Sequence, residues 1–184
     1  MKILLHICCG PCSTVAIERL LQENFEITGF FYNPNIYPEE EYELRLKNAE
    51  IVALKNNISF LPSIYEPEEW HKKIRGYEKE KEGGERCKLC IKMRLAETAK
   101  KAKDSGFETF GTTLTTGLNK NSKRINLYGA NVSFEIGIPF HLVDFKKNAG
   151  FQRSVVLSKE MGLYRQRYCG CIYSLRSTPT YSSE

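Results

Sequence analysis

Near the N-terminus, an apolar run passes directly into a cysteine-rich turn, and the segment reads Ile3-Leu4-Leu5-His6-Ile7-Cys8-Cys9-Gly10-Pro11-Cys12. A short apolar run bounded by a turn is typical of a buried strand. Pro11 then suits the first turn of a helix, and the residues up to about Gln22 keep their apolar side chains on one side. The stretch therefore predicts a strand, a cysteine-bearing turn and a helix, which is the first unit of an α/β fold.

The same alternation continues along the chain. Further strands are predicted over 27–32, 58–61, 108–113 and 139–143, and helices over 38–56, from 66, from 87, over 119–134 and over 151–160. This pattern predicts a Rossmann-like α/β fold, with an about five-stranded, mostly parallel sheet and helices on both faces. No linker interrupts residues 1–184, so we expect one domain. The working site of such a sheet lies at the carboxyl ends of its strands, where the first cysteines stand.

Charge is distributed unevenly. The net charge is +5, but the first 70 residues carry 5 basic and 11 acidic side chains, which leaves +11 on the rest of the chain. Such asymmetry favours a face that binds a polyanion, and nucleic acid is the expected partner. No run of 18 apolar residues occurs, which excludes a membrane-spanning helix. The short apolar N-terminus has no cleavage site of the kind that follows a signal peptide. We therefore expect a cytoplasmic protein.

Seven cysteines are many for a chain of 184 residues, and five of them form two clusters. Cys8, Cys9 and Cys12 form the first, and Cys87 and Cys90 the second. In a reducing compartment, clustered cysteines indicate metal or redox chemistry. A C-x-x-C unit where a loop enters a helix presents two thiolates on one side, near the positive end of the helix dipole. Two such units supply four sulfur ligands, which suits a [4Fe–4S] cluster or Zn²⁺.

Three hypotheses compete for these cysteines, and an iron–sulfur cluster is favoured. A zinc-binding RNA-binding module without catalysis needs only four of the five cysteines. A thioredoxin-like enzyme explains Cys9-Gly10-Pro11-Cys12, but it leaves Cys8 and the second cluster without a role. Spacing by itself selects Cys9 and Cys12 as the first ligand pair, because adjacent residues of a strand point to opposite sides.

A third motif, Tyr168-Cys169-Gly170-Cys171, stands near the C-terminus. Two cysteines separated by one residue can close only a small, strained ring, and a strained disulfide is readily reduced. The motif therefore favours a redox-active pair that relays electrons. Two additional ligands or two inert thiols are the alternatives. Arg165 and Arg167 would stabilise a thiolate there and could also contact phosphate.

Four stretches, in the same order, resemble the cobalamin-independent epoxyqueuosine reductases of the QueH type: residues 5–12, 31–36, 86–90 and 168–171. The resemblance implies an oxidoreductase that converts the epoxide of epoxyqueuosine, in a tRNA anticodon loop, to the cyclopentene of queuosine. It also implies that Cys169 and Cys171 form a redox-active pair, and that a [4Fe–4S] cluster is held by Cys8, Cys9, Cys87 and Cys90. Cys12 then has two interpretations, as a ligand of an adjacent mononuclear iron or as a small buried residue.

Removal of the epoxide oxygen as water needs two electrons and two protons. The Cys169–Cys171 pair could supply the electrons, or take them from an external electron donor and pass them to the cluster. Tyr168 is the proton donor expected beside this pair, and Tyr173 and His6 are further candidates. We expect His6 to stabilise the first turn instead.

The residues expected to contact RNA are basic or aromatic. A mobile basic loop over 79–94, which includes Lys88, is predicted to contact phosphates together with Arg165, Arg167 and Arg176. The side chains that could stack on bases are Tyr32, Tyr37, Tyr164 and Tyr173. The stretch 112–117 lacks the glycine pattern of a P-loop, so no nucleotide cofactor is expected. His71 and His141 are predicted to be structural or on the surface.

Overall fold

The computed structural model describes residues 1–175. The sheet has four parallel strands, β1 (Lys2–His6), β2 (Glu26–Phe31), β3 (Ser59–Pro62) and β4 (Thr109–Thr112), in the order β3-β2-β1-β4. The helices are α1 (Gly10–Gln22), α2 (Glu39–Lys55), α3 (Pro67–Lys73), α4 (Glu85–Asp104), α5 (Ser122–Ile136), α6 (Gly150–Glu160) and α7 (Ile172–Leu175), with a 3-10 turn at Thr113–Thr116. The α/β, Rossmann-like prediction is confirmed.

Helices cover both faces of the sheet, because successive side chains of β1 point to opposite sides. Ile3 and Leu5 are fully buried in the core that α1, α2 and α6 complete. Leu4 is fully buried in a second core on the other face, which α4 and α5 complete. The continuous apolar run is thus explained by a central strand without a solvated face.

The predicted fifth strand over 139–143 is wrong. It is reduced to one parallel bridge between Phe110 and Phe140. Pro139 has no N–H with which to extend the ladder, and the side chain of Leu142 is 63% exposed. Phe140 packs its ring 5.0 Å from that of Phe110. The segment therefore closes the sheet edge by side-chain packing.

The expected mobile basic loop over 79–94 is also wrong in part, because α4 begins at Glu85 and carries the second half of that range. The first half is held by a buried cation. The guanidinium of Arg86 is 3% exposed and donates hydrogen bonds to the carbonyl oxygens of Glu78 and Glu80. A buried guanidinium needs such acceptors, so the loop wraps around it.

The strand order creates one reversal point. From β1 the chain moves to β2 on one side, whereas β4 pairs with β1 on the other side. The carboxyl ends of β1 and β4 therefore border the crevice where α/β sheets bind ligands. Within residues 1–175, each helix is too short or too polar to cross a membrane.

Candidate functional site

Cys8, Cys9 and Cys12 form a thiol trio at the carboxyl end of β1. Their three sulfur atoms lie within 4.8 Å of one another, and those of Cys8 and Cys9 are 3.9 Å apart. The alternation argument against Cys8 and Cys9 as neighbours fails because β1 ends at His6, so neither cysteine is part of the strand. Cys9 is the N-cap of α1, in extended conformation, and Pro11 lies in the first turn.

Polar contacts give the trio an uneven charge. The hydroxyl of Thr113 donates to Cys8 Sγ at 3.4 Å, and the amide of Gln166 donates to Cys9 Sγ at 2.9 Å. Hydrogen bonds with Cys12 and Cys9 lower the pKa of Cys8 well below its usual value. The same bonds with Cys8 and Cys9, and burial, raise the pKa of Cys12. Within the trio, these contacts favour the thiolate form at Cys8 over Cys12.

His6 supports this turn and is not placed to donate a proton. It is fully buried, with Nε2 3.2 Å from the carbonyl oxygen of Tyr32 and Nδ1 3.0 Å from Thr112 Oγ1. A carbonyl only accepts, so Nε2 carries the proton and Nδ1 accepts from the threonine hydroxyl. Burial, together with the charge of Arg94, lowers the pKa of His6 to about 4. His6 is therefore a neutral cross-link between β1, β2 and β4.

The other four cysteines line one cavity, together with Trp70, Arg94 and Lys120: they are Cys87, Cys90, Cys169 and Cys171. Cys87 lies in the first turn of α4, and its sulfur accepts the N–H of Gly83 at 3.2 Å. Cys90 follows one turn later and packs with Cys171 against Trp70. Burial raises the pKa of Cys87 and of Cys90. Both side chains are therefore thiols in the absence of metal.

Arg45 of α2 fixes the segment that carries Cys169. Its guanidinium is 3% exposed, is paired with Glu41 at 2.7 Å, and donates to the carbonyl oxygens of Tyr168 and Cys169 at 3.1 Å each. All seven cysteines are free thiols, so a disulfide in the Cys169–Cys171 pair is not supported. Cys171 is buried, and its S–H lies 3.6 Å from Ser174 Oγ.

Lys120 and Arg94 are two cations of the site. Lys120 was not predicted, and Arg94 was predicted only as part of the basic loop over 79–94. Lys120 Nζ donates to Cys169 Sγ at 3.0 Å. Burial opposes this charge, but the sulfur of Cys169 outweighs it and raises the pKa of Lys120. Arg94 is 3% exposed, and the nearby sulfurs of Cys90, Cys169 and Cys8 likewise outweigh burial and raise its pKa. The sequence could have indicated Arg94, because a residue one helical turn after Cys90 lies on the same face of the helix.

A cleft joins the two cysteine groups. Its volume is about 480 Å³, and its walls include Cys8, Cys12, Cys169, Arg94 and Lys120. That volume falls within the ~300–1,000 Å³ of small-molecule sites. Within residues 1–175, only the trio has His, Cys, Asp or Glu ligand atoms at single-ion spacing. Among the described residues, Cys87 and Cys90 belong to no such group of three or more ligands. The donor set is dominated by sulfur, which fits an iron–sulfur cluster better than a hard cation.

The residues predicted to contact RNA are scattered around this cleft. Arg165 and Arg167 are exposed on its wall, and Lys88 is paired with Glu85 at 2.8 Å on the outer side of α4. Arg176 lies outside the described residues. Lys88 borders a neighbouring concave surface that also includes Lys120 and Arg124.

Tyrosines of the site have mostly structural contacts. Tyr32 is 8% exposed in the second core, which contradicts its predicted stacking role, whereas Tyr37 is 46% exposed. The hydroxyl of Tyr164 donates to Glu41 at 2.9 Å, and the ring of Tyr173 lies 4.6 Å from the guanidinium of Arg86. Tyr168 lines the cleft, but its hydroxyl donates to the carbonyl of Tyr37 at 2.5 Å. Burial raises the pKa of Tyr168 to about 12.

The two remaining histidines were predicted to be structural or on the surface, and their contacts agree with this. The rings of His71 and Trp70 are in edge-to-face contact, with centroids 5.0 Å apart. His141 packs at the same distance against Phe25, and its Nε2 lies 3.9 Å from a carboxylate oxygen of Glu23.

Solved structures of similar fold include two archaeal proteins. A protein described as a predicted subunit of tRNA methyltransferase from Methanocaldococcus jannaschii aligns with a TM-score of 0.60, at 13% identity over 89% of each chain. The U34-tRNA thiolase NcsA from Methanococcus maripaludis, solved with its [4Fe-4S] cluster, aligns with a TM-score of 0.55, at 13% identity over 95% of this chain and 61% of that one. These likenesses show the fold alone.

Sequence relatives are much closer. Proteins named epoxyqueuosine reductase QueH are 41% identical in Streptococcus pyogenes, over 95% of this chain and 71% of the relative, and 38% identical in Thermotoga maritima, over 94% and 90%. The Acinetobacter baylyi protein of that name is 39% identical over 96% and 82%. The family described as epoxyqueuosine reductase QueH matches residues 3–177. This chain, with its seven free thiols around the carboxyl ends of a parallel sheet, therefore belongs to the epoxyqueuosine reductase QueH family of oxidoreductases.

Proposed function

We propose that this protein reduces the epoxide of epoxyqueuosine in a tRNA anticodon loop to the alkene of queuosine, in the cytoplasm. The observation that carries the proposal is the cleft where both cysteine groups meet the cations Arg94 and Lys120, in a chain that matches the QueH family over nearly its whole length. Epoxide plus two electrons and two protons gives alkene and water. The site must therefore hold a source of electrons beside the bound ring.

The cluster ligands of this proposal are Cys8, Cys9, Cys87 and Cys90. Their sulfur chemistry and the proximity of Cys8, Cys87 and Cys90 to the charge of Arg94 support a [4Fe–4S] cluster. The fold is one that accommodates such a cluster in NcsA. Cys12 shares single-ion spacing with Cys8 and Cys9, which supports its role as a ligand of a mononuclear iron beside the cluster. When bound, the cluster would supply single electrons and a Lewis-acidic iron.

Cys169 and Cys171 are proposed as the dithiol that relays electrons from an external donor. Two thiols that close to a disulfide release two electrons and two protons, which balances one epoxide reduction. The two sulfurs have different surroundings: Cys169 faces the ammonium of Lys120 in the cleft, and Cys171 is buried. Lys120 stabilises negative charge on Cys169, which favours that sulfur as the one that reacts first.

The chain's own side chains would hold the tRNA and manage protons. Arg165 and Arg167, on the wall of the cleft, are proposed to contact phosphates, as is Lys88 on α4. Tyr37 is exposed enough to stack on a base. Lys120 and Tyr168, which line the cleft with Cys169, are the candidate proton donors. Lys120 is the better placed of the two, because Tyr168 donates its proton to Tyr37.

The test is anaerobic iron and sulfide analysis of three proteins, combined with a tRNA reduction assay driven by dithionite. The wild type should be brown and should convert epoxyqueuosine in tRNA. Cys87→Ala should lose the colour and the iron. Cys169→Ser should keep both and lose turnover. Ser174→Ala is the matched control, because it removes only the contact of Cys171.

Two results would contradict the proposal. A colourless wild type that retains zinc and binds RNA without turnover would support the zinc-binding module instead. Full turnover by Cys169→Ser with a chemical or biological electron donor would show that Cys169 and Cys171 do not relay electrons.

A further inference from the structure

Two asparagines between β2 and α2 are buried beside the cysteines. Asn33 and Asn35 flank Pro34, and each is only 2% exposed. A residue before proline is held in an extended conformation, so the loop leaves the sheet edge in a fixed direction. Both residues line the cleft, together with Cys8, Cys12 and Cys169. Asn35 also lines the cavity of the second cysteine group.

The carboxamide oxygens of both residues lack hydrogen-bond partners among residues 1–175. The amide group of Asn33 donates to the carbonyl oxygen of Ile7 at 2.9 Å, which fixes which end of this side chain is the free acceptor. A buried acceptor without a partner is unfavourable for folding. Asn33 and Asn35 share one cleft, where the carboxamide oxygen of Gln166 also lacks a partner among the described residues. Such a group of free acceptors next to the reactive thiols indicates a ligand that brings hydrogen-bond donors.

The chemistry of the acceptors defines that ligand. A carboxamide oxygen accepts hydrogen bonds and stays neutral, so it binds hydroxyl or ammonium groups. An epoxide oxygen only accepts, so it would not bind there. The epoxide-bearing ring of epoxyqueuosine carries hydroxyl and amino groups in addition to the epoxide. Donation from these groups to the asparagines would leave the epoxide turned toward the sulfurs.

We propose that Asn33 and Asn35 are binding residues that recognise the hydroxyl and amino donors of the epoxide-bearing ring and orient it toward the cysteines. This inference rests on the proposed function. It assigns to the Asn33-Pro34-Asn35 loop the selection of modified tRNA over tRNA that carries an ordinary guanine at the same position.

The test compares the binding of two tRNAs by anaerobic fluorescence anisotropy, one with epoxyqueuosine and one with guanosine at that position. Asn35→Leu removes the acceptor and keeps the size of the side chain. Its preference for the modified tRNA should fall about tenfold, the size of one hydrogen bond, while its affinity for the unmodified tRNA and its iron content stay unchanged. Asn35→Asp keeps an acceptor and should retain most of the preference.

Asn126→Leu is the matched control. Asn126 Oδ1 is another buried oxygen without a partner in the described part of the chain, but it lies on α5, away from the cleft. This variant should keep the full preference. An unchanged preference in Asn35→Leu would overturn the inference, and so would a loss of iron, which would make Asn35 a metal ligand. If Asn35→Leu does not fold, Asn35→Asp provides the test. Loss of the preference for modified tRNA in that variant would then overturn the inference. Equal binding of both tRNAs by the wild type would instead overturn the proposed function itself.

Discussion

Gly10, the first residue of α1, is expected to be intolerant of even one methyl group. A Cβ there would lie 2.7 Å from the carbonyl oxygen of Asn48 and 2.9 Å from its carbonyl carbon, in the middle of α2. Both atoms belong to the backbone, so no side-chain rotation relieves the contact. Ordinary contact begins at 3.4 Å, and the two helices would have to separate by about 0.7 Å.

The magnitude follows from two opposing effects of Gly10→Ala. Overpacking of this kind costs about 1–3 kcal/mol, and the better helix propensity of alanine returns up to about 1 kcal/mol. The net destabilisation is about 1–2 kcal/mol, which lowers the Tm of a domain of this size by about 2–8 °C. Because Cys9 and Cys12 flank Gly10, the displacement should also weaken metal retention by about tenfold.

Calorimetry of the metal-free protein gives the Tm, and iron release to a chelator gives the metal retention. Gln22→Ala is the control, because it is exposed in the last turn of the same helix and should leave both values near those of the wild type. The sign of the Tm change shows whether overpacking or helix propensity has the larger effect. A Tm of Gly10→Ala above that of the wild type would mean that helix propensity dominates, and the close approach of α1 and α2 would be refuted.

Three further perturbations test the site. Lys120→Met removes the cation that lies 3.0 Å from Cys169 Sγ. In the metal-free protein, alkylation of Cys169, followed by mass spectrometry, should become at least tenfold slower. Lys120→Arg keeps the cation and should not slow alkylation. Arg45→Met should lower the free energy of unfolding by about 3–5 kcal/mol in urea titrations, since it leaves the largely buried carboxylate of Glu41 without its cationic partner. A loss under 1 kcal/mol would contradict this. Because the pKa of His6 falls from 6.5 to about 4 on folding, the unfolded state binds the proton first, and stability should decrease by about 3 kcal/mol between pH 6.5 and 4. His6→Gln should remove that part of the pH dependence. If the free energy of unfolding depended on pH equally in the wild type and in His6→Gln, His6 would not be its cause.

Local patterns were sufficient for the elements of the fold. The run from Ile3 to Ile7 predicts a strand buried on both faces because it has no polar alternation, and the structure confirms it. The acidic residues after Pro38 predict the start of α2, which begins at Glu39. The last predicted strand failed because strand formation depends on a partner that the sequence does not show. Phe140 found only one bridge at Phe110.

Cysteine spacing predicts a sulfur-rich site, since cysteines within one turn of a helix must lie close together, and Cys8, Cys9 and Cys12 do so. The distant groups that contact these cysteines become visible only in the folded chain. Lys120 reaches Cys169 across 49 positions, and Arg45 reaches the same residue across 124. Such contacts depend on the paths of loops and on the strand order, which local propensities do not fix. Four of the five predicted strands, the helices between them and the clustering of the cysteines follow from local patterns. The cations around the sulfurs, the free acceptors of Asn33 and Asn35 and the cleft between the two cysteine groups come from long-range packing.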